Sequence, residues 1–294
     1  MRAPPGERDV DDLLSFGVVN LDKPPGPSAH QVAAWVRDAT GQSRVAHGGT
    51  LDPKVTGCLP ILLGDAARAA RVFDDAVKEY VAVLELHGPA PADFTDVVSQ
   101  FEGDIYQKPP RKSAVKRQLR VRRIHDLDVL ERGERRALLR VRCASGTYVR
   151  KLCHDIGLAL GTGAHMGDLR RTATGTFDDS TLASMHDLVD ALAVAEDGDE
   201  TALRDIVAPA ERALAHLPRV TIAPSAAAAV ADGAPLYAPG IIDVGPAEVG
   251  GALPAEGVLV VCLTPDGAAV SLGTLVGDPE ADSGTVVAPE RVLV

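Results

Sequence analysis

Residues 47–57 read HGGTLDPKVTG, and this stretch constrains fold and chemistry more than any other part of the 294-residue chain. Three of its residues are glycines, which adopt backbone dihedrals closed to other residues and allow a ligand to approach closely. With a proline and two threonines beside them, they predict an irregular loop. Asp52, at the centre, is the first candidate for a catalytic carboxylate, although a Thr-x-Asp-Pro segment is also typical of a simple turn.

Regular patterns flank this loop on both sides. Val18–Leu21 predicts a short buried strand, and Ser28 is a good N-cap for a helix that Gly41 ends. A second helix is predicted over residues 65–76, and alternating apolar residues over 80–86 predict a half-buried strand.

Two more strands are predicted over residues 119–129 and 137–144, and the second leads into a helix that Thr147 could cap. Arg150 lies off the apolar stripe of that helix, near its start. A guanidinium beside a buried aspartate keeps the carboxylate ionised and oriented, so Arg150 is the natural partner for Asp52. An ordinary surface arginine is the alternative interpretation.

The composition changes after residue 216. Leu217–Pro218 marks a boundary, and the rest of the chain is rich in Val, Gly and Pro, with short apolar runs over 257–263 and 268–275. This pattern predicts a small β-rich module, a compact barrel.

The net charge of −11 is unfavourable for phosphate binding, but the charges are unevenly distributed. Residues 108–123 carry eight basic side chains and no acid, whereas residues 219–294 carry nine acids and two arginines. The basic stretch favours contact with an RNA backbone, with a solvated surface as the alternative. The acid-rich, lysine-poor composition suits a high-salt cytoplasm.

Other features exclude several classes of protein. No run of about 18 apolar residues predicts a membrane span, and the first 16 residues lack the apolar core of a signal peptide, so we expect an intracellular, cytoplasmic protein. The four cysteines never form CxxC and are expected to be buried thiols. Phosphate-loop, dinucleotide-binding, GxSxG and HExxH motifs are absent, and we expect neither metal nor cofactor.

Four segments, in order, resemble the TruB/dyskerin family of pseudouridine synthases. They are NLDKPPGPSAHQV (20–32), HGGTLDPKVTGCLP (47–60), KEYVAVLELHG (78–88), and SGTYVRKLCHDIGLALG (145–161) with the following GAHMGDLRRTATGTF. A looser match is QKPPRKSAVKR (107–117). The DGAPLYAPG piece resembles a PUA domain, which favours the archaeal dyskerin-like branch.

The resemblance implies an α+β fold. Its pseudouridine synthase domain, residues 1–216, would contain a mixed, largely antiparallel central sheet flanked by helices. Residues 217–294 would form an RNA-binding PUA domain, a small β-barrel. One departure from the family is Gly48, where many relatives have Ser or Thr.

The resemblance also implies the roles of four residues in the reaction. Asp52 would be the nucleophile that attacks the target uridine, and Arg150 would orient it. Tyr80 and Leu169 would hold the two faces of the detached base, since an aromatic ring stacks well on a nucleobase. Lys23 and Pro24 would support the pocket without reacting.

Basic side chains and a histidine are the predicted RNA contacts, with phosphate contacts fixing register without reading bases. They are His47, Lys54, Lys108, Arg111, Lys112, Lys116, Arg117, Arg170 and Arg171.

The implied substrates are rRNA, selected by a box H/ACA guide RNA, and the T-loop uridine of tRNA, the pseudouridine-55 position. The implied protein partners are of the Nop10, Gar1 and L7Ae types. Two alternatives remain: a non-catalytic RNA-binding scaffold, and a PUA-linked RNA methyltransferase, which would need a cofactor loop that the sequence lacks.

Overall fold

A computed structural model describes residues 1–108, 118–248 and 254–294 of the protein. The α-helices in these ranges are α1 (Val10–Ser15), α2 (Ala29–Thr40), α3 (Phe94–Ser99), α4 (Val149–Ala159), α5 (Met185–Glu196), α6 (Thr201–Ile206) and α7 (Pro224–Ala231). The strands are β1 (Gly17–Lys23), β2 (Val45–His47), β3 (Thr56–Leu63), β4 (Lys78–Leu86), β5 (Gly103–Gln107), β6 (Arg120–Arg132), β7 (Arg136–Cys143), β8 (Ala164–Thr174), β9 (Phe177–Asp178), β10 (Val207–Pro209), β11 (Arg219–Ile222), β12 (Leu236–Tyr237), β13 (Ile241–Gly245), β14 (Leu259–Leu263), β15 (Ala269–Leu275) and β16 (Thr285–Val292).

The larger sheet has the strand order β10-β1-β3-β8-β4-β7-β6-β5, with β2 paired to β3 and β9 to β8. Its strands pair antiparallel except at the short β3–β8 contact, where Thr56 lies opposite Arg170 and Gly57 opposite Arg171. The predicted α+β fold with a mixed, largely antiparallel central sheet is therefore confirmed. The parallel contact brings the end of the Asp52 loop beside β8.

The smaller sheet has the order β12-β16-β15-β14-β11-β13, in which only β11 and β14 pair in parallel among the described residues. Its strands all follow residue 218, in agreement with the predicted β-rich module. Helix α7 packs on β15 and β16, and contributes Ala227 and Val230 to the apolar interior of this sheet.

The two sheets share a hydrophobic cluster. Phe16, Leu62 and Phe73 from the first part of the chain pack with Leu272 and Leu293 from the last part. Because these side chains are almost fully buried, the smaller sheet is fixed against the back of the larger one.

Most predicted elements near the loop are confirmed, including the strand at 18–21, which lies within β1. Ser28 caps α2 by accepting a hydrogen bond from the Gln31 N–H at 3.2 Å, and Gly41 ends the helix with φ of +66°. All four cysteines are free and buried, as predicted.

Two helical predictions have different outcomes. The helix predicted over residues 65–76 is present as a 3-10 helix over Gly64–Phe73, because Ala66, Ala69 and Val72 are buried at a spacing of three residues, which matches three residues per turn. Thr147 does not cap α4, since its hydroxyl donates to the Ala144 carbonyl at 2.7 Å and the N-cap residue is Tyr148.

Candidate active site

Asp52 lies at the tip of the loop between β2 and β3. Leu51 and Val55 on either side are 4% exposed and anchor the loop in the core, whereas the Asp52 side chain is about half exposed. The Val55 N–H donates to the Asp52 carbonyl at 3.0 Å and closes a turn. Gly49, with φ of +100°, lets the chain enter this turn in a conformation that other residues rarely adopt. The loop therefore holds a carboxylate outward on a fixed backbone.

Gly48, the departure from the family pattern, packs against an aromatic ring. A Cβ added at this position would lie 2.9–3.1 Å from the Phe73 ring carbons. A Ser or Thr here would require Phe73 to move, so the glycine matches the local packing of this chain.

Lys23 lies directly beneath the loop and is fully buried. Its ammonium donates to the carbonyls of Pro24 at 2.9 Å, Pro53 at 3.0 Å and Val55 at 2.8 Å. Burial lowers its pKa below the usual lysine value. Lys23 therefore binds both its own strand end and the backbone just after Asp52, as expected of a supporting residue.

Arg150 lies in the first turn of α4, and its guanidinium forms an ion pair with the Asp52 carboxylate. The start of α4 is fixed by Gln107, whose side-chain oxygen accepts from the Tyr148 N–H at 2.9 Å and whose amide donates to the Tyr148 carbonyl at 3.2 Å. Two residues 98 positions apart in the chain are thus brought together, as their chemistry predicted.

A cleft with a volume of about 590 Å³ opens beside this ion pair. It is lined by Gly49–Asp52 and Val55, by Phe73, Asp74, Lys78 and Tyr80, and by Ser145–Arg150 with Met166 and Leu169. Tyr80 is 7% exposed, and burial raises the pKa of its phenol. The neighbouring strand β8 presents Leu169 opposite Ala82. The four residues predicted to act on the base therefore lie around one cavity.

Two buried cations at the cleft, Arg171 and Lys78, were not predicted from the sequence to support the site. Arg171 is fully buried, and its guanidinium donates to the Cys58 carbonyl at 2.7 Å and the Gly49 carbonyl at 3.4 Å. Lys78 is 7% exposed. Lys78 is the first residue of β4 and shares the buried positions of Tyr80 and Ala82, whereas Arg171 follows Arg170 in a strand whose burial does not alternate regularly.

Comparison with known proteins defines the family. Residues 37–92 and 87–149 match the TruB family pseudouridylate synthase N-terminal domain, and residues 150–215 match the tRNA pseudouridylate synthase B C-terminal domain. Residues 3–33 match the DKCLD (NUC011) domain. The probable tRNA pseudouridine synthase B of Haloarcula marismortui is 78% identical over all of this chain and 94% of that protein. The chain belongs to the TruB family of pseudouridylate synthases.

Further relatives of this TruB-family chain include solved structures. The probable tRNA pseudouridine synthase B of Halobacterium salinarum is 62% identical over all of this chain and 99% of that protein. A crystal structure of a Cbf5–Nop10–Gar1 complex matches with 44% identity and a TM-score of 0.94, covering 100% of this chain and 89% of that one. The structure of an H/ACA RNP bound to a substrate RNA containing 2′-deoxyuridine matches with 43% identity and a TM-score of 0.90, covering 99% and 89%.

The residues predicted to contact RNA differ in their exposure and in their side-chain partners. Lys54 and Lys108 are exposed. His47 is half buried, its Nε2 lies 3.3 Å from His30 Nδ1, and burial lowers its pKa. Arg170 remains partly exposed but binds the Asp22 carboxylate through two bonds of 3.0 Å.

Arg171 requires a correction. Its guanidinium is enclosed by the sheet and bonded to backbone carbonyls, so a phosphate of bound RNA cannot reach it in this structure. We therefore assign Arg171 to the support of the Asp52 loop. Four further predicted contacts lie outside the described residues: Arg111, Lys112, Arg117 and Lys116.

Within residues 1–108, 118–248 and 254–294, no group of three or more His, Cys, Asp or Glu side chains could hold a metal ion. In the same part of the chain, no helix is long and apolar enough to cross a membrane.

Proposed function

We propose that this protein isomerises uridine to pseudouridine within structured RNA, with Asp52 as the nucleophile. The observation that carries the proposal is the Asp52–Arg150 ion pair at a cleft lined by Tyr80 and Leu169. A guanidinium beside the carboxylate favours its charged form, and only the ionised form is a useful nucleophile.

The proposed reaction begins with attack by Asp52 on the uridine, either at the base or at the anomeric carbon of the ribose. The N1–C1′ bond breaks, the uracil rotates, and a C5–C1′ bond forms. The bond between the Asp52 carboxylate and the uridine then breaks, which regenerates the free carboxylate. C5 loses a proton and N1 gains one, so atoms and electrons balance without a redox agent or a second substrate. Tyr80 and Leu169 hold the detached base between them, and Arg150 keeps the carboxylate in place.

The target uridine must leave its stack to reach the cleft, which costs a few kcal/mol and favours flexible RNA sites. Lys54, Lys108 and Arg170 hold phosphates on this path, and His47 contacts RNA at the loop. Lys23 and Pro24 support the loop through the hydrogen bonds described above. Residues 217–294 form a separate PUA domain that adds RNA contacts.

The substrates follow from the relatives' names. Relatives named tRNA pseudouridine synthase B support tRNA as one substrate, and those solved within H/ACA particles support rRNA selected by a guide RNA. Nop10- and Gar1-type proteins are proposed partners because a similar chain is solved with both. An L7Ae-type partner and a cytoplasmic location, where both RNAs are found, complete the proposal.

The test is pseudouridine formation on an unmodified tRNA transcript at high salt, with wild type and Asp52→Asn compared. Product from wild type alone is the expected result. If neither forms product, the assay is repeated with guide RNA and partner proteins, and a wild type that is still inactive there overturns the enzyme proposal. Product from both variants at equal rates would remove Asp52 as nucleophile.

The non-catalytic scaffold is the second candidate. A scaffold needs no carboxylate–guanidinium pair at a cleft, whereas the enzyme does. Turnover separates the two: both hypotheses expect Asp52→Asn to keep binding RNA, and only the enzyme hypothesis expects the wild type to form pseudouridine and the variant to lose that activity.

A further inference from the structure

Lys78 is a buried cation beside the cleft, and two of its three hydrogen-bond acceptors belong to residues that line the cleft. Its ammonium donates to the Phe73 carbonyl at 2.8 Å, the Ala76 carbonyl at 2.9 Å and the Ser145 Oγ at 3.2 Å. An ammonium has three N–H donors, so the site offers one acceptor for each.

These three acceptors belong to different parts of the site. Phe73 is the last residue of the 3-10 helix, and Ala76 lies in the segment between that helix and β4, whose third residue is Tyr80. Ser145 belongs to the turn that leads into α4, where Arg150 lies. Lys78 therefore connects the strand that carries the base-stacking residue to the turn that positions the partner of Asp52.

The charge on Lys78 is not explained by fold stability. Burial and the neighbouring Arg171 guanidinium lower its pKa to about 8, with Cys143 on β7 and Asp74 and Asp75 before β4 acting weakly in the opposite direction. The folded protein thus disfavours the ammonium relative to the unfolded chain, in which the pKa is that of an ordinary lysine. An apolar side chain of similar length would avoid this penalty.

The protonation state of Lys78 determines how strongly its side chain connects β4 to the turn before α4. The neutral amine has two N–H donors and a lone pair, so one of the three oxygens would lose its hydrogen bond and face that lone pair. The Ser145 bond is the longest of the three and the only one to a side chain, and the Ser145 hydroxyl would then donate to that lone pair in a neutral hydrogen bond that is weaker than the charge-assisted one.

We propose that Lys78 is a positioning residue for the isomerisation, and that its ammonium holds the turn before α4 so that Arg150 stays against Asp52. This inference rests on the proposed function of the same site. It assigns Lys78 no contact with the reacting atoms.

The experiment measures the single-turnover rate constant of pseudouridine formation at saturating RNA between pH 6 and 9. In the wild type we expect the rate constant to fall above about pH 8, as the amine loses its proton. Lys78→Met should lower the rate constant ~100-fold at pH 7, which is the loss expected when a reacting group is displaced by about 1 Å. The same substitution should remove the fall at alkaline pH. The dissociation constant for RNA should not change.

Ser145→Ala tests the connection without removing the lysine. The loss of one acceptor destabilises the ammonium, so the alkaline fall should shift to lower pH by about one unit, with a ~10-fold lower rate constant at pH 7. Ser99→Ala is the matched control, because the hydroxyl of this exposed serine donates to the Asp96 carbonyl within α3. A rate constant and pH profile of Ser145→Ala equal to the wild type would overturn the inference.

Carbon-13 NMR of protein labelled at lysine Cε separates this inference from the proposed function. The Lys78 resonance should titrate at lower pH in Ser145→Ala than in the wild type, and equal titration in both overturns the inference even if the enzyme is active. A wild type that forms no pseudouridine with tRNA, or with guide RNA and partners, overturns the proposed function instead.

Discussion

Arg8 and Glu211 form a bidentate ion pair with both N–O distances at 2.7 Å, although 203 positions separate them in the chain. Arg8 is 3% exposed, and a Glu211 oxygen also accepts from the Ala269 N–H at 3.0 Å. The pair therefore joins the N-terminal segment, the end of the large sheet and strand β15 of the smaller sheet.

Arg8→Met should reduce the free energy of unfolding by about 3 kcal/mol, because it leaves the partly buried Glu211 carboxylate without its partner. Thermal or denaturant unfolding measures the change. The matched control is Arg37→Met, since Arg37 pairs with Asp38 at the surface and should contribute less than about 0.5 kcal/mol. Equal effects of the two substitutions would contradict the structural importance of the Arg8 pair.

Arg150→Lys should lower the rate constant of pseudouridine formation ~100-fold with little change in RNA affinity. Lysine keeps the charge but loses the planar guanidinium that holds the Asp52 carboxylate from the first turn of α4. Arg142→Lys is the control, because Arg142 forms an exposed pair with Asp126, away from the cleft. A weakened affinity at an unchanged rate constant would show that Arg150 binds RNA instead of orienting Asp52.

Arg170 and Arg171 are adjacent in sequence, and their substitutions should separate two effects. Arg170→Gln should make the slope of the logarithm of the RNA-binding constant against the logarithm of the salt concentration shallower by ~1, because the partly exposed side chain can contact a phosphate. Arg171→Met should leave that slope unchanged and lower the unfolding free energy by about 2 kcal/mol, since its bonds to Cys58 and Gly49 are lost inside the protein. Salt titrations of binding and thermal unfolding give both quantities, and the reverse assignment would contradict the structure.

The acidic composition should make folding depend on salt. The net charge of −11 includes nine acids and two arginines after residue 218, and their repulsion is screened when the ionic strength rises. We expect the midpoint of thermal unfolding to rise, and the transition to sharpen, between millimolar and molar KCl. An unchanged transition across this range would refute the prediction, and sucrose at matched osmolality controls for general exclusion effects.

The local elements were predictable from sequence where one strong signal decided them. Ser28 and Gly41 bounded α2 because capping chemistry acts within a few residues, and the glycine-rich loop around Asp52 followed from backbone freedom. The 3-10 geometry of residues 64–73 was missed, since apolar spacing there serves packing against a sheet 200 residues later in the chain. Strand β8 was also missed, because polar and apolar residues alternate imperfectly along it.

The sequence predicted which residues form the candidate site, but it did not predict which of the surrounding side chains are buried. The chemistry of a carboxylate and a guanidinium placed Asp52 and Arg150 together, and the resemblance to the family added Tyr80 and Leu169. The direction of Arg171 and Lys78 could not be predicted, because it depends on the register of β4 and β8 with their neighbours, which a single sequence does not fix. An arginine inside the sheet is indistinguishable in sequence from one that faces solvent.

The strand order of the large sheet determines when its strands can pair during synthesis on the ribosome. Strand β1 pairs with β10, and β3 pairs with β8, so each of these two early strands has a partner that is synthesised much later. Translation at 5–20 residues per second separates β1 from β10 by on the order of ten seconds or more. For about 5 to 20 seconds of that time the nascent chain carries Asp52 without Arg150, which follows 98 positions later. The emerging polypeptide therefore contains its proposed nucleophile before it contains the arginine that is proposed to orient it.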